Sequence, residues 1–345
     1  MSLQTQRERT ALAFGAMLRF ASVLAILFTL TSAAFAQESS RSIKVERVNF
    51  PVTLSDGKTY TVAGYLYYQG SYRNRTLLLA LHGANYNHNY WDVPRINGHD
   101  YSFARYMAAQ KYAVLAIDQL GTGASDKPDG DLLTLGETAS ATHQIISGLR
   151  AGAGDIRHPF ERVVLVGHSL GSINALYEQA TYADADAVII TGMGHVAHKL
   201  PIPDPVIEEM LKSKYFPFPD NLRAELFYYA PGADPDVIAY DRDHLSELLP
   251  RAQLVTGVFA AFNPEANRVG AVTGPVLVQL GEHDALFPAS LADGEAAFYQ
   301  SASSVTVQAI PGVGHDVNTH YGNHASWRLM EEWLRSAGLH KPDAN

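Results

Sequence analysis

Val163-Val164-Leu165-Val166-Gly167-His168-Ser169-Leu170-Gly171 is the stretch on which the fold turns. The continuous apolar run reads as a strand covered on both faces. Behind it, G-x-S-x-G forces a sharp turn and leaves the Ser169 hydroxyl at its apex. A side chain at either outer glycine would crowd that turn. Beyond it, Leu170, Ile173, Tyr177 and Ala180 recur at helical spacing. An ordinary glycine turn carrying a solvated serine would need nothing more. An activated hydroxyl needs a base, an orienting acid and an oxyanion hole.

Working outward, further continuous apolar runs occur at Leu77–Leu81, Ala113–Ile117, Val188–Ile190, Val276–Leu280 and Val305–Ala309. Helical patterns over about 102–110, 135–150, 170–182, 289–299 and 324–336 separate most of them. Strand–helix alternation predicts parallel βαβ units with right-handed crossovers. Ahead of them, Ile43–Phe50 and Tyr60–Tyr68 flank Asp56-Gly57 and predict an antiparallel hairpin at a sheet edge. The interval from Met193 to Pro275 breaks the rhythm. It is rich in proline and in aromatics such as Tyr215, Phe216, Phe218 and Phe227, with helix-like pieces at 205–213 and 221–229. A structureless loop of that length is improbable in a compact domain, so an inserted lid is expected.

Ligands of an open parallel sheet bind beyond the carboxyl ends of its strands. Gly281-Glu282-His283-Asp284 follows one expected strand, and Gly312-Val313-Gly314-His315-Asp316 follows the last. Ser169, Asp284 and His315 thus occur in the order nucleophile, acid, histidine, each just after a strand. His315 is preferred to His320 as base, and Asp284 to Glu282 or Asp316 as acid. Asp316 adjoins His315 and could reach its Nδ1 only under strain. His168, inside the elbow, reads as buried support, and the turn at Asp118 as structural.

These motifs resemble those of the α/β-hydrolase superfamily over roughly residues 42–338. Gly167–Gly171 resembles its nucleophile elbow, Leu280–Asp284 its acid turn and Gly312–His315 its histidine loop. Leu81-His82-Gly83 resembles the oxyanion strand end, with Trp91 beyond it. Asp118–Asp126 resembles the D-x-x-G-x-G-x-S-D turn of many lidded members. The resemblance implies a mostly parallel eight-stranded sheet flanked by helices, with a mainly helical lid inserted. The implied divisions are 37–195 and 273–345 for the core and 196–272 for the lid. It implies catalytic Ser169, His315 and Asp284, an oxyanion hole from the backbone N–H groups of Leu170 and Ala84, and substrate contacts at His82, Gly83, Asn85 and His168. His82-Gly83-Ala84-Asn85 departs from the H-G-G-G of many esterases, which argues against bulky tertiary esters. Relatives that act as dehalogenases or epoxide hydrolases carry aspartate where Ser169 stands.

The bulk properties agree with a large globular core. The chain has 345 residues, 47% hydrophobic and 18% charged, with a net charge of −9. No basic block invites nucleic acid. There is no cysteine, hence no disulfide, thiol catalysis or thiolate metal site. His82, His88 and His99 lack metal-ligand spacing, and no G-x-G-x-x-G opens a βαβ unit, so no cofactor is expected. Arg7, Arg9 and Arg19, the apolar stretch Phe20–Leu30 and Ala34-Phe35-Ala36 predict a signal peptide over residues 1–36. Met17-Leu18-Arg19 would itself make a compact start. Cleavage would remove three arginines and Glu8, leave about −11 by this count, and leave no stable membrane insertion. The expectation is a secreted or periplasmic serine hydrolase acting on a small-molecule ester or lactone, its oligomeric state open. Amide hydrolysis, C–C cleavage and perhydrolysis use the same machinery, and a ligand-binding protein could reuse the scaffold.

Overall fold

A computed structural model describes residues 42–340. The expected signal peptide and its cleavage pattern lie outside the described residues. The central sheet has eight strands: β1 (Ile43–Thr53), β2 (Thr59–Gln69), β3 (Leu77–Leu81), β4 (Ala113–Ile117), β5 (Val163–His168), β6 (Ala187–Thr191), β7 (Gly274–Gly281) and β8 (Ala302–Ile310). Their spatial order is β1-β2-β4-β3-β5-β6-β7-β8. β2 runs antiparallel to β4, and every pairing from β4 to β8 is parallel.

Register decides which loops meet. Leu81 pairs with both Ile117 and Gly167. His168 pairs with Thr191, which also pairs with Gln279, and Gly281 pairs with Ile310. The carboxyl ends of β3, β5, β7 and β8 therefore open on one edge. β3, β4 and β6 are buried along their whole length, as the unbroken apolar runs require. β8 departs from that reading: it is half-exposed because it closes the sheet and has a neighbour on one side only.

Four helices flank the sheet: α1 (Phe103–Ala109), α2 (Leu135–Ala151), α3 (Leu170–Tyr182) and α9 (Asn323–Ser336). The starts of α1 and α2 are capped by side chains. Ser102 and Thr134 accept hydrogen bonds from the backbone N–H groups of Arg105 and Glu137. Residues 289–298 form 3₁₀ turns rather than the expected α-helix. Asp293 and Gly294 in their middle are poor α formers.

Between β6 and β7 lie α4 (Asp204–Met210), α5 (Asp220–Phe227), α6 (Pro235–Tyr240), α7 (Arg251–Ala261) and α8 (Pro264–Asn267), with a short antiparallel pairing of Tyr215–Phe216 with Leu249–Pro250. The sequence pattern locates α4 and α5 and misses α7. That helix is apolar on both sides: Leu254 and Val258 face inward while Val255 and Phe259 are exposed. It therefore has no single stripe for periodicity to find. The small hairpin Val93–Ile96/His99–Tyr101 was also not legible.

Candidate active site

Ser169 sits between β5 and α3 with φ 52° and ψ −119°, a conformation that L-residues rarely adopt. The two glycines around it have a direct physical cause. A Cβ on Gly167 would stand 2.4 Å from Ser172 Cα, and one on Gly171 would stand 2.2 Å from the Leu81 carbonyl oxygen. The tight fold of the elbow onto the first turn of its helix thus requires Gly167, and its close approach to the end of β3 requires Gly171. The Ser169 N–H donates to the Thr191 carbonyl, which ties the elbow to the end of β6.

His315 and Asp284 meet across the ends of β7 and β8. His315 Nδ1 lies 2.9 Å from Asp284 Oδ2, and both side chains are buried. The other carboxylate oxygen, Asp284 Oδ1, accepts from the backbone N–H groups of Leu286 and Phe287 at 2.7 and 2.9 Å. Three donors thus hold one carboxylate, fixing the loop and leaving Nδ1 as the protonated nitrogen of the ring.

Ser169 and His315 share neighbours. Phe227 and Phe287 line a cavity with Ser169, and the same two rings stand 5.5 and 6.2 Å from the His315 ring, centre to centre. Gly192, next to the Thr191 that binds the Ser169 N–H, faces His315 so closely that a Cβ there would lie 3.1 Å from its Cε1. Among the described residues the Ser169 hydroxyl has no hydrogen bond to His315. A base that serves a nucleophile can lack that contact when no substrate is bound.

The cavity beside Ser169 has a volume of about 80 Å³. The core supplies Ala84, Asn85, Leu170 and Ile173; the segment between β6 and β7 supplies much of the remaining apolar wall, including Phe218, Phe227, Leu254 and Phe262. A larger hollow of 680 Å³ opens on Arg95, Arg105, Tyr240 and His324, but it includes neither Ser169 nor His315. Chemistry rather than size designates the site.

The remaining expected residues divide. Ala84 and Leu170 border the cavity next to Ser169. Leu170 opens α3, so its N–H has no acceptor within the helix. Asn85 also borders it, but its amide donates to the Glu247 carbonyl at 3.0 Å, holding the insertion to the loop after β3. Gly83 packs beneath the elbow, where a Cβ would lie 2.9 Å from His168 Cδ2 and 3.2 Å from Ser169 Cβ. His82 and His168 are buried and do not line the cavity, contrary to the expected substrate contact. His82 Nε2 is hydrogen-bonded at Thr122 and the Gln119 N–H. The rival histidine, His320, accepts the N–H groups of Tyr229 and Gly314 through Nε2 and so braces the loop that carries His315. Asp118 accepts from His88 and the Ala124 N–H, as a structural turn residue does.

One part of the site was missed. His168 Nε2 lies 2.9 Å from Asp316 Oδ1, giving a second buried histidine–carboxylate pair beside the first, with the two rings 5.0 Å apart. The Tyr86 hydroxyl bonds Asp316 and stands 3.2 Å from Asp241 Oδ2. Arg223 grips Asp241 with both arms of its guanidinium, at 3.0 and 2.6 Å, and covers the Tyr86 ring. A polar chain thus runs from α5 to the elbow. The adjacency of His168 to Ser169 and of Asp316 to His315 was the available signal, but only tertiary contact pairs them.

Burial opposes the charged form of His315, but Asp284, aided by Asp316, outweighs it and holds the imidazole above its usual pKa. A base must be neutral to accept a proton. Activity in kcat/KM should therefore fall as pH drops through a midpoint above about 6.5. A pH–rate profile checks this, and an acid limb centred well below 6 would contradict it.

The profile of the family described as serine aminopeptidase, S33, matches residues 97–319, which include Ser169, Asp284 and His315. The chain belongs to this family of α/β-hydrolases. The match to the serine aminopeptidase family begins beyond the His82–Asn85 loop. Among solved structures, the fold resembles a thermophilic esterase from Thermogutta terrifontis, with TM-score 0.59 and 18% identity over 86% of this chain and 100% of that one. It also resembles a monoacylglycerol lipase from Paleococcus ferrophilus, with TM-score 0.58 and 16% identity over 85% and 99% of the two chains. An E-2-(acetamidomethylene)succinate hydrolase is similar too, with TM-score 0.56 and 18% identity over 84% and 100%. At these identities the likeness is one of fold.

Proposed function

We propose that this chain is an exported serine hydrolase that cleaves a carboxylic ester or lactone of modest size through an acyl-enzyme. The observation that carries the reading is the buried His315–Asp284 hydrogen bond, set beside a strained serine that borders an apolar cavity. Ser169 Oγ attacks the acyl carbon while His315 Nε2 takes its proton. The oxyanion is held by the N–H groups of Ala84 and Leu170. Collapse of the tetrahedral intermediate expels the alcohol, which receives the proton from His315. Water, deprotonated by the same ring, then releases the acid and restores the serine.

The cavity walls favour esters over amino-terminal peptides. An aminopeptidase must hold a free ammonium group, and no carboxylate is among the lining residues, whose polar members are Ser169 and Asn85. Its volume is far below that of a pocket for a drug-sized ligand, which favours a short apolar acyl group. The segment 196–272 acts in this reading as the lid. Export rests on the charged, apolar and small-residue order of residues 1–36.

A fluorophosphonate should label Ser169 in the mature protein, and p-nitrophenyl acetate or butyrate should be turned over faster than the laurate and faster than aminoacyl anilides. A folded sample that takes no label would remove the serine mechanism. Preference for the anilides would replace the ester with an amide.

A further inference from the structure

A second cluster of ionisable groups lies away from the catalytic edge. His143 is on α2, Glu178 on α3, and Asp184 follows the end of α3, where Ala183 adopts φ 54° and turns the chain. One ligand atom from each lies within 4.8 Å of the other two. His143 Nδ1 and Asp184 Oδ2 are 2.6 Å apart. Glu178 is fully buried, yet among the described residues no donor reaches either of its carboxylate oxygens or Asp184 Oδ1. Arg150, on the same helix as His143, spends its guanidinium on the Asp184 and Glu161 carbonyls and on Asp186.

A buried carboxyl group facing another carboxylate without a donor is costly. Two arrangements relieve it. Glu178 can hold a proton and donate it to Asp184, since burial, then that hydrogen bond and the Asp184 charge push it up to about 10. Alternatively, a cation can sit among the three side chains.

We propose that His143, Glu178 and Asp184 form a binding site for one divalent cation of the zinc class. The donor set decides the class. An imidazole nitrogen with two carboxylates suits zinc, whereas calcium and magnesium take oxygen ligands. Tetrahedral zinc spaces its ligand atoms by about 3.4 Å, so the 2.6 Å His143–Asp184 contact must open while the Glu178 oxygen, within 4.8 Å of both, settles to the same spacing. Water would take the fourth position. His143 and Asp184 are partly exposed, with side-chain exposures of 36% and 20%, which leaves a path from solvent. Glu178 stands nine residues along α3 from Ser169, about 13 Å away. The site is thus a clip between α2 and α3, separate from the reaction.

The test uses the mature chain without an affinity tag, freed of metal with a chelator and titrated with zinc against a chromophoric competitor. One zinc should bind per chain and raise Tm. Glu178→Gln and Asp184→Asn should each weaken binding at least about 10-fold and abolish the rise in Tm. If Glu178→Gln does not fold, Asp184→Asn and His143→Gln, both at partly exposed positions, carry the comparison. No zinc bound at micromolar concentration would overturn the site and leave Glu178 as a buried neutral acid. Zinc held equally well by the variants would also overturn it. Binding of calcium or magnesium in preference to zinc would overturn the assigned class.

Discussion

Ser169→Ala should lower kcat for a p-nitrophenyl ester about 10⁶-fold and abolish fluorophosphonate labelling, with Tm close to that of the parent. The change removes one oxygen. Alanine keeps a Cβ, so it neither relieves the φ of 52° nor alters the close packing of the elbow on the end of β3. His315, Asp284 and the N–H groups at Ala84 and Leu170 remain, so the variant should still exceed the uncatalysed reaction by about 10³-fold. Substrate binding in the apolar cavity should change little, which places the loss in kcat rather than KM. Retention of more than about 1% of parental kcat would mean that another group delivers the nucleophile.

Asp284→Asn should reduce kcat about 10⁴-fold, and the structure supplies the reason. Oδ1 of Asp284 already accepts two backbone N–H groups, from Leu286 and Phe287. An asparagine must place its carbonyl oxygen there, because its NH₂ group would clash with both donors. The NH₂ group then faces His315 Nδ1, where Oδ2 stood. Nδ1 is forced to accept, the ring proton moves to Nε2, and the nitrogen that should take the serine proton is blocked. The lost charge also removes the main influence holding the His315 pKa up, so the acid limb of the residual activity should shift to lower pH. Steady-state rates from pH 5 to 9 would test both parts. An unshifted acid limb with near-parental kcat would mean that Asp316, the other carboxylate near the ring, orients His315.

Much of this protein could be read from its amino-acid order because the decisive signals are local. The run Val163–Val166 ends at an elbow that only small residues can form. Asp284 and His315 each follow an apolar run, and in a parallel sheet every such run ends on the same edge. Strand type followed from the unbroken apolar runs, which mark strands buried on both faces. Where the local signal was flat, the reading failed. α7 presents apolar residues on both sides, and β8 looks like a buried strand although it is a sheet edge.

Chain order alone therefore determined the strands, the elbow and the placement of Ser169, Asp284 and His315 just beyond strand ends, since periodicity and steric exclusion act within a few residues. Only the tertiary structure decided how the histidines and acids are paired. His168 belongs to Asp316 rather than to substrate, Arg223 reaches the elbow through Asp241 and Tyr86, and Glu178 faces Asp184 and His143 without a donor. Those pairings depend on distances between segments far apart along the chain. Hydrogen bonding and charge act through space, and no spacing along a sequence records them.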